Sequence, residues 1–209
     1  MHKIKNSSNH YVYVVFFVTN TMMGKMIQFA TRNSYSHVAL AFEEDLQTMY
    51  SFARYHINSP ISGGFVIEHP QRYLNGNRDV EIKLCKVPVS EVDYRRIRKT
   101  IDYFCQNKDL MLYNTVNAIL SLVNKKIKVE NTYTCIEFVT YLLNIRNILA
   151  IRDLEIMLEP YQVYHGGLRE IARLDDPLED DYFNRRCIHG IVYDTFSHFG
   201  KIILRLAYR

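Results

Sequence analysis

The chain has 209 residues, and its 26 Lys and Arg against 22 Asp and Glu give a net charge of +4. Hydrophobic residues make up 48% of it and charged residues 23%, a globular composition that excludes a disordered or collagen-like chain. This length is enough to bury a sizeable core as one domain, or as one domain with an appendage.

The first ninety residues are typical of strands, because segments rich in Val, Phe and Tyr or with alternating apolar residues follow one another there. The predicted strands are 12–18, 36–42, 49–53, 65–68 and 80–87. Between them we expect a turn over 19–24, a short helix over 25–31 and a loop over 58–64.

Helices are predicted in the next part of the chain. Ser90 can cap a helix whose apolar residues recur at three- and four-residue spacing, and further helical patterns cover 114–123 and 134–143. An acidic turn over 175–181 and an apolar end over 188–206 follow. Strands first and helices later favour an α+β fold with a mostly antiparallel sheet.

The apolar run at 11–18 is short for a signal peptide and lacks a cleavage site, and no segment has the length needed to span a bilayer. We therefore expect a cytoplasmic protein with reduced thiols. The cysteines form no C-x-x-C motif, so neither a zinc ribbon nor a thioredoxin-like site is expected, and we predict no metal and no cofactor. They are Cys85, Cys105, Cys135 and Cys187.

Positive charge is concentrated in a basic segment, residues 95–128. It is a candidate contact for an anionic surface, although a solvated helix face and a basic turn explain the same charges. No nucleic-acid-binding motif accompanies it, so we expect no nucleic-acid partner. The residues are Arg95, Arg96, Arg98, Lys99, Lys125, Lys126 and Lys128.

One cysteine stands in a special position. Thr134-Cys135-Ile136-Glu137 matches the capping box S/T-x-x-E, which places Cys135 at the first position of a helix. The N–H groups and partial positive charge there stabilise a thiolate and can bind an oxyanion. The alternative is a small core residue beside an ordinary cap. The other cysteines lack this context, so Cys135 is the candidate nucleophile.

A nucleophilic cysteine needs a base, and His37 is the first candidate. It lies in a predicted apolar strand, where the small residues Ala39 and Ala41 follow it on the same face and leave room for another chain element. A hydrogen-bonded core histidine explains the same pattern. His69 and His165, in loop-like contexts, are second choices.

The third role in such a site belongs to a polar group that orients the imidazole. Glu68 ends a predicted strand and is the first candidate, against the alternative of a strand-end carboxylate in solvent. Glu43 and Glu44 resemble turn residues and are second choices.

Together these segments resemble the circularly permuted NlpC-type thiol hydrolases, which have a papain-like fold. The segments are Ser36-His37-Val38, Gly63-Gly64-Phe65-Val66-Ile67-Glu68 and Tyr133-Thr134-Cys135-Ile136-Glu137-Phe138-Val139. Residues 49–54 are also similar to a Tyr-Ser-Phe-x-Arg segment of bacterial members. The resemblance covers residues 11–168 and departs from the family at Ile136-Glu137, where members often carry Ser-Gln.

The resemblance implies a thiol hydrolase domain over 1–168, with the His strand first and a mostly antiparallel sheet packed on the Cys-bearing helix. Residues 169–209 are then a C-terminal extension. It also implies Cys135 as nucleophile, His37 as base and a polar third residue, for which Glu68 is the positional match. The implied activity is cleavage of an amide bond, in a peptide or a cell-wall-like peptide, through a thioacyl intermediate.

We add Tyr133 and Tyr35 as candidates that help the N–H of Cys135 to stabilise the oxyanion. The expected partner is a small peptide- or acyl-containing substrate. Two alternatives to the hydrolase are a lipid-directed acyltransferase or esterase of the same fold, and a non-catalytic binding module that kept the fold. The sequence makes no prediction of the oligomeric state.

Overall fold

A computed structural model describes residues 10–19, 34–59, 61–74, 79–120, 127–172 and 181–207. Apart from residues 19 and 181, the predicted turn at 19–24, helix at 25–31 and acidic turn at 175–181 lie outside these ranges. So do Lys125 and Lys126 of the basic segment.

Eight strands form one sheet. They are β1 (His10–Phe17), β2 (His37–Ala41), β3 (Met49–Arg54), β4 (Gly63–Glu68), β5 (Glu81–Val89), β6 (Leu112–Tyr113), β7 (Thr132–Tyr133) and β8 (Gln162–Gly167). Their order is β7-β6-β4-β3-β2-β1-β5-β8, and the pairs are antiparallel except for the parallel pair β6–β7. The predicted α+β fold with a mostly antiparallel sheet is confirmed.

Six α-helices occur in the described part of the chain. They are α1 (Glu91–Gln106), α2 (Thr115–Leu120), α3 (Cys135–Leu142), α4 (Ile151–Leu158), α5 (Leu168–Ile171) and α6 (Ile188–Ala207). The helices predicted after Ser90 and Thr134 are confirmed, and both residues accept a hydrogen bond from the third residue of their helix. Helix α4 and strand β8 were not predicted.

Strand β4 begins two residues earlier than expected, so the loop predicted over 58–64 was wrong at its end. Gly63 and Gly64 pair with Arg54 and Ala53 of β3. A Cβ atom on Gly63 would lie only 2.4 Å from the carbonyl oxygen of Ala53. Glycine here permits a close backbone approach within a sheet rather than a turn.

Helices α1, α3 and α4 cover one face of the sheet, and α3 packs against β2 and β3. The core of this face is aromatic, and it contains Phe52, Phe65, Phe104 and Phe138. The opposite face carries a smaller core, of which Phe17, Leu46, Met49 and Leu168 are members. A third cluster, Leu112, Val129 and Ile202, joins α6 to the β6–β7 edge.

Candidate active site

Helix α3 begins at Cys135 because Thr134 caps it. The Thr134 hydroxyl accepts a hydrogen bond from the N–H of Glu137 at 3.2 Å, and the Glu137 carboxylate accepts one from the N–H of Thr134 at 2.8 Å. The predicted capping box is therefore confirmed. Cys135 occupies the first helical position, where the backbone N–H groups have no hydrogen-bond acceptor within the helix.

The Glu137 carboxylate is held by a second helix as well. Nδ2 of Asn117 in α2 donates to Oε1 of Glu137 at 2.8 Å. Asn117 itself is fixed by the carbonyl and the N–H of Ile127. The negative charge next to the candidate nucleophile is thus engaged in capping α3 and tying it to α2.

His37 and Glu68 meet as a buried pair. Nε2 of His37 lies 3.1 Å from Oε2 of Glu68, and the exposed fractions of the two residues are 9% and 0%. The hydroxyl of Tyr73 donates to the same carboxylate oxygen at 2.8 Å. Nε of Arg72 lies 3.6 Å from the other oxygen. Glu68 is therefore a buried, multiply contacted carboxylate rather than a solvated strand end.

Each member of this pair keeps the other charged. Burial lowers the pKa of His37, but the Glu68 carboxylate and the nearby sulfur of Cys135 outweigh it and raise that pKa to about 10. Burial also opposes the charge on Glu68, yet His37, Arg72 and the Tyr73 hydroxyl lower its pKa to about 2. At neutral pH the pair consists of an imidazolium and a carboxylate.

Cys135 lies close enough to His37 for its sulfur to favour the charged imidazole. The thiol is buried, with 5% of the residue exposed. The structure thus brings together Cys135, His37 and Glu68 from α3, β2 and β4. Tyr73 packs in the same core as Ala39 and Ala41. Its ring stacks on Phe17 and lies next to the His37 ring.

Sequence reasoning missed Tyr113, which packs against the core cluster that contains Cys135. Burial and the nearby charge of Cys135 raise the pKa of this phenol, so it stays protonated. Tyr113 ends β6, which pairs in parallel with β7, and β7 leads directly to the cap of α3. A two-residue strand has no periodicity, so no local pattern could have identified Tyr113.

Tyr35, predicted to assist the oxyanion, is buried in the core cluster that also contains Cys135. Its ring centroid lies 5.7 Å from that of Phe16, and Nζ of Lys83 lies 5.7 Å from the ring. Burial and the charge of Glu155 raise the pKa of Tyr35 to about 12. These groups belong to the surroundings of β5 and α4.

Tyr133, the other predicted oxyanion residue, packs with Phe52, Phe104 and Tyr141. It also lines a cleft of about 770 Å³ between α1 and α3. Burial, together with the nearby Tyr141, Glu137 and Tyr103, raises the pKa of Tyr133. Because Cys135 is one of the groups that raise the pKa of Tyr113, we take Tyr113 as a further candidate phenol for the oxyanion.

Part of the basic segment lines the same cleft, through Arg95, Arg96 and Lys99. Arg95 pairs with Glu91, and Arg96 pairs with Asp93 and donates to the carbonyl of Leu142. Much of this charge is therefore engaged within the chain. Contact of the segment with an anionic surface stays a prediction.

The second-choice histidines have partners of their own. Nδ1 of His69 lies 2.7 Å from the carbonyl oxygen of Gln47, and Nε2 of His165, in β8, lies 2.9 Å from Glu81. All four cysteines are free. The prediction that only Cys135 stands at the start of a helix is wrong, because Cys187 immediately precedes α6 and its Sγ accepts a hydrogen bond from the N–H of Gly190 at 3.4 Å. Burial raises the pKa of Cys85 to about 11, and burial also raises the pKa of Cys105.

Comparisons with models of protein families, with curated proteins and with solved structures find no match to this chain. Within the described ranges, no three His, Cys, Asp or Glu side chains gather as a metal site would require. Among the described helices, none is both long and apolar enough to cross a membrane.

Proposed function

We propose that the protein is a cysteine hydrolase that cleaves an amide bond in a peptide or cell-wall-like peptide. Cys135 is the nucleophile, His37 transfers the proton, and Glu68 orients the imidazole. The observation that carries the proposal is the meeting of a capped-helix cysteine, an imidazole and a fully buried carboxylate from three separate elements. Nucleophile, base and orienting group are the parts that such catalysis requires.

The permuted papain-like fold is part of the same proposal. Two features support it. Strand β2, which carries His37, precedes α3, which carries Cys135, along the chain. Helix α3 also packs against β2 and β3 of a mostly antiparallel sheet.

The first step is attack of the Cys135 thiolate on the substrate carbonyl carbon. The developing oxyanion accepts hydrogen bonds from the N–H of Cys135 and from the protonated phenol of Tyr113. Because Nε2 of His37 is bound to Glu68, Nδ1 is the nitrogen that serves the thiol and the substrate. It donates its proton to the leaving amine as the C–N bond breaks, which leaves a thioacyl group on Cys135.

The second step is hydrolysis of the thioacyl group. His37, now neutral, accepts a proton from a water molecule that attacks the carbonyl carbon. The C–S bond breaks, the acid leaves, and the thiolate and imidazolium are restored. The raised pKa of His37 suits the acid role in the first step and keeps the ring an imidazolium beside Cys135 between turnovers.

A lipid-directed esterase or acyltransferase would use the same groups, since esters and thioesters react with a thiolate through the same steps. Product analysis separates the classes. The purified protein is incubated with peptide amides, short-chain esters and phospholipids, and mass spectrometry identifies both the products and the acyl group on Cys135. The proposal expects peptide amides to be cleaved.

The test of the proposed function is the pair Cys135→Ala and Cys187→Ala. Cys135→Ala should abolish turnover and the acyl adduct, whereas Cys187→Ala, which changes an exposed cysteine, should keep both. Turnover that survives Cys135→Ala would refute the proposed nucleophile. Absence of any adduct and turnover with every substrate class would favour the non-catalytic module.

A further inference from the structure

Helix α6 presents an apolar face to solvent. Six large apolar side chains on it are between 48% and 78% exposed. They are Ile188, Val192, Tyr193, Phe196, Ile203 and Leu204. At about 100° per residue, these positions fall within an arc of about 160° on one side of the helix. Apolar side chains gathered on one exposed side of an element form the kind of patch that is often functional.

The opposite side of α6 holds the helix on the protein. His198 and Ile202 are buried, and Nε2 of His198 lies 2.9 Å from the carbonyl oxygen of Tyr113. The Arg205 guanidinium donates to the carbonyls of Leu110, Glu130 and Asn131. The side of α6 that attaches the helix to the described part of the chain is therefore the side opposite the exposed apolar face.

We propose that this face of α6 binds the surface of a membrane that contains anionic lipids. Residues 181–207 contain four Lys and Arg and two Asp. The acidic residue within the helix, Asp194, is bound by Arg186 at 2.9 and 3.1 Å. Lys201 in the helix and Arg185, three residues before it, are exposed, so an apolar face is combined with positive charge. This combination is typical of helices that lie in the plane of an anionic bilayer surface.

The size of the face argues against a second copy of the chain as the occupant. A helix of 20 residues is about 30 Å long and about 10 Å wide, so one side of it offers about 300 Å². A stable protein interface buries about 800 Å² on each partner. A bilayer surface has no such requirement, since one apolar stripe and flanking cations suffice.

Helix α6 is attached to the part of the fold that carries the candidate active site, since His198 lies 2.9 Å from the carbonyl oxygen of Tyr113 and Tyr113 packs against the core that contains Cys135. The inference does not rest on the chemistry of Cys135, because vesicle binding is measured without turnover.

The experiment is sedimentation of the full chain with phosphatidylcholine vesicles that contain or lack phosphatidylserine. We expect binding to the anionic vesicles that weakens as salt is raised. The double change Phe196→Glu and Ile203→Glu should lower the partition coefficient at least about tenfold, since it removes two apolar side chains from the contact.

The matched control is Val92→Glu with Ile156→Glu, on α1 and α4, where the side chains are 76% and 56% exposed. It makes the same chemical change elsewhere and should leave the partition coefficient within about twofold, and circular dichroism should report an intact fold for both variants. No sedimentation with anionic vesicles, equal binding to neutral ones, or an equal loss in the control overturns the proposal. So does a wild-type dimer that the Phe196 and Ile203 changes convert to a monomer.

Discussion

The Glu68 carboxylate lies 3.1 Å from Nε2 of His37 and has no exposed surface of its own. A carboxylate in that position is costly unless a positive charge faces it. The two residues come from neighbouring parts of the sheet, β2 and β4, and β3 lies between those strands. Their protonation states are coupled, so we expect a substitution of one residue to shift the pKa of the other.

Glu68→Gln should remove the charge that keeps His37 protonated while it preserves the size of the side chain. We expect the free energy of unfolding in urea at pH 7 to fall by about 3 kcal/mol, because one partner of a buried ion pair is lost. Turnover should fall about a hundredfold as the imidazole loses its orienting group.

The control for that change is Glu155→Gln. Glu155 pairs with Lys83, a cation that is 7% exposed and belongs to β5, two strands from β2. It should reduce stability and leave turnover within about twofold. Equal losses of turnover in the two variants would contradict the role of Glu68.

Stability should depend on pH at both ends of the range. The pKa of Glu68 is lowered to about 2, so its contribution is present above pH 4.5 and is lost as the pH falls from there through 2. The pKa of His37 is raised to about 10, so its contribution is present below pH 6.5 and is lost as the pH rises through 10.

We therefore expect a decline in unfolding free energy above pH 7, with a slope of at most about 1.4 kcal/mol per pH unit from this residue. The measurement is urea unfolding across the pH range, beside an NMR titration of the His37 ring. His37→Gln should flatten the alkaline limb. A His37 ring that loses its proton near pH 6.5 would contradict the paired state.

Tyr73→Phe should make the ionised form of the Glu68 carboxylate less stable and leave the packing of the ring in place. The ring would still stack on Phe17, 4.2 Å away between centroids, but the hydrogen bond to Oε2 of Glu68 would be lost. Because that bond favours the ionised carboxylate, Glu68 should bind a proton at higher pH in the variant. The loss of stability on acidification should therefore begin at higher pH. Hydrogen bonds to charged groups contribute about 1.5–3 kcal/mol.

Tyr13→Phe is the matched control for Tyr73→Phe. It deletes a phenol that donates to Glu44 at 2.9 Å, a carboxylate at a different place on the sheet. The acid limb should stay where it is in the wild type. A shift of equal size in both variants would mean that Tyr73 acts only as a general stabilising contact.

His198 should make the attachment of α6 sensitive to acid. Burial lowers the pKa of His198, and the nearby cations Lys201 and Arg205 lower it further, while its bond to the Tyr113 carbonyl opposes them. Its contribution is therefore present above pH 6.5 and is lost as the pH falls below it. The protection factors of α6 amides in hydrogen exchange, corrected for the intrinsic exchange rate at each pH, should fall below pH 6 in the wild type. His198→Gln should show a smaller change with pH, and an identical pH response would contradict the prediction.

The capped start of α3 was predictable because a capping box is a local pattern of four residues. Cys135 follows from Thr134 and Glu137, whose hydrogen bonds depend on neighbours in the chain. The strand around His37 was equally visible, since its apolar residues are consecutive. The mostly antiparallel sheet followed from the succession of such strands.

The contacts that complete the site could not be found in this way. Tyr113 joins the core around Cys135 through a two-residue strand, and Tyr73 reaches Glu68 after a short turn that follows β4. Both depend on how distant segments meet. The predicted loop over 58–64 was wrong at its end for a related reason. Glycine in a sequence favours a turn, but Gly63 permits the close approach of two strands.

The most direct test of the proposed site is the rate at which iodoacetamide alkylates each cysteine between pH 5 and 9, followed by mass spectrometry. A thiolate held next to an imidazolium reacts below neutral pH, whereas an ordinary thiol does not. We predict that at pH 6 Cys135 reacts at least about tenfold faster than Cys187, although Cys187 is exposed and Cys135 is buried. His37→Gln should abolish that advantage. A Cys135 that reacts at pH 6 no faster than Cys187, or equally fast without His37, would contradict the proposed thiolate–imidazolium site.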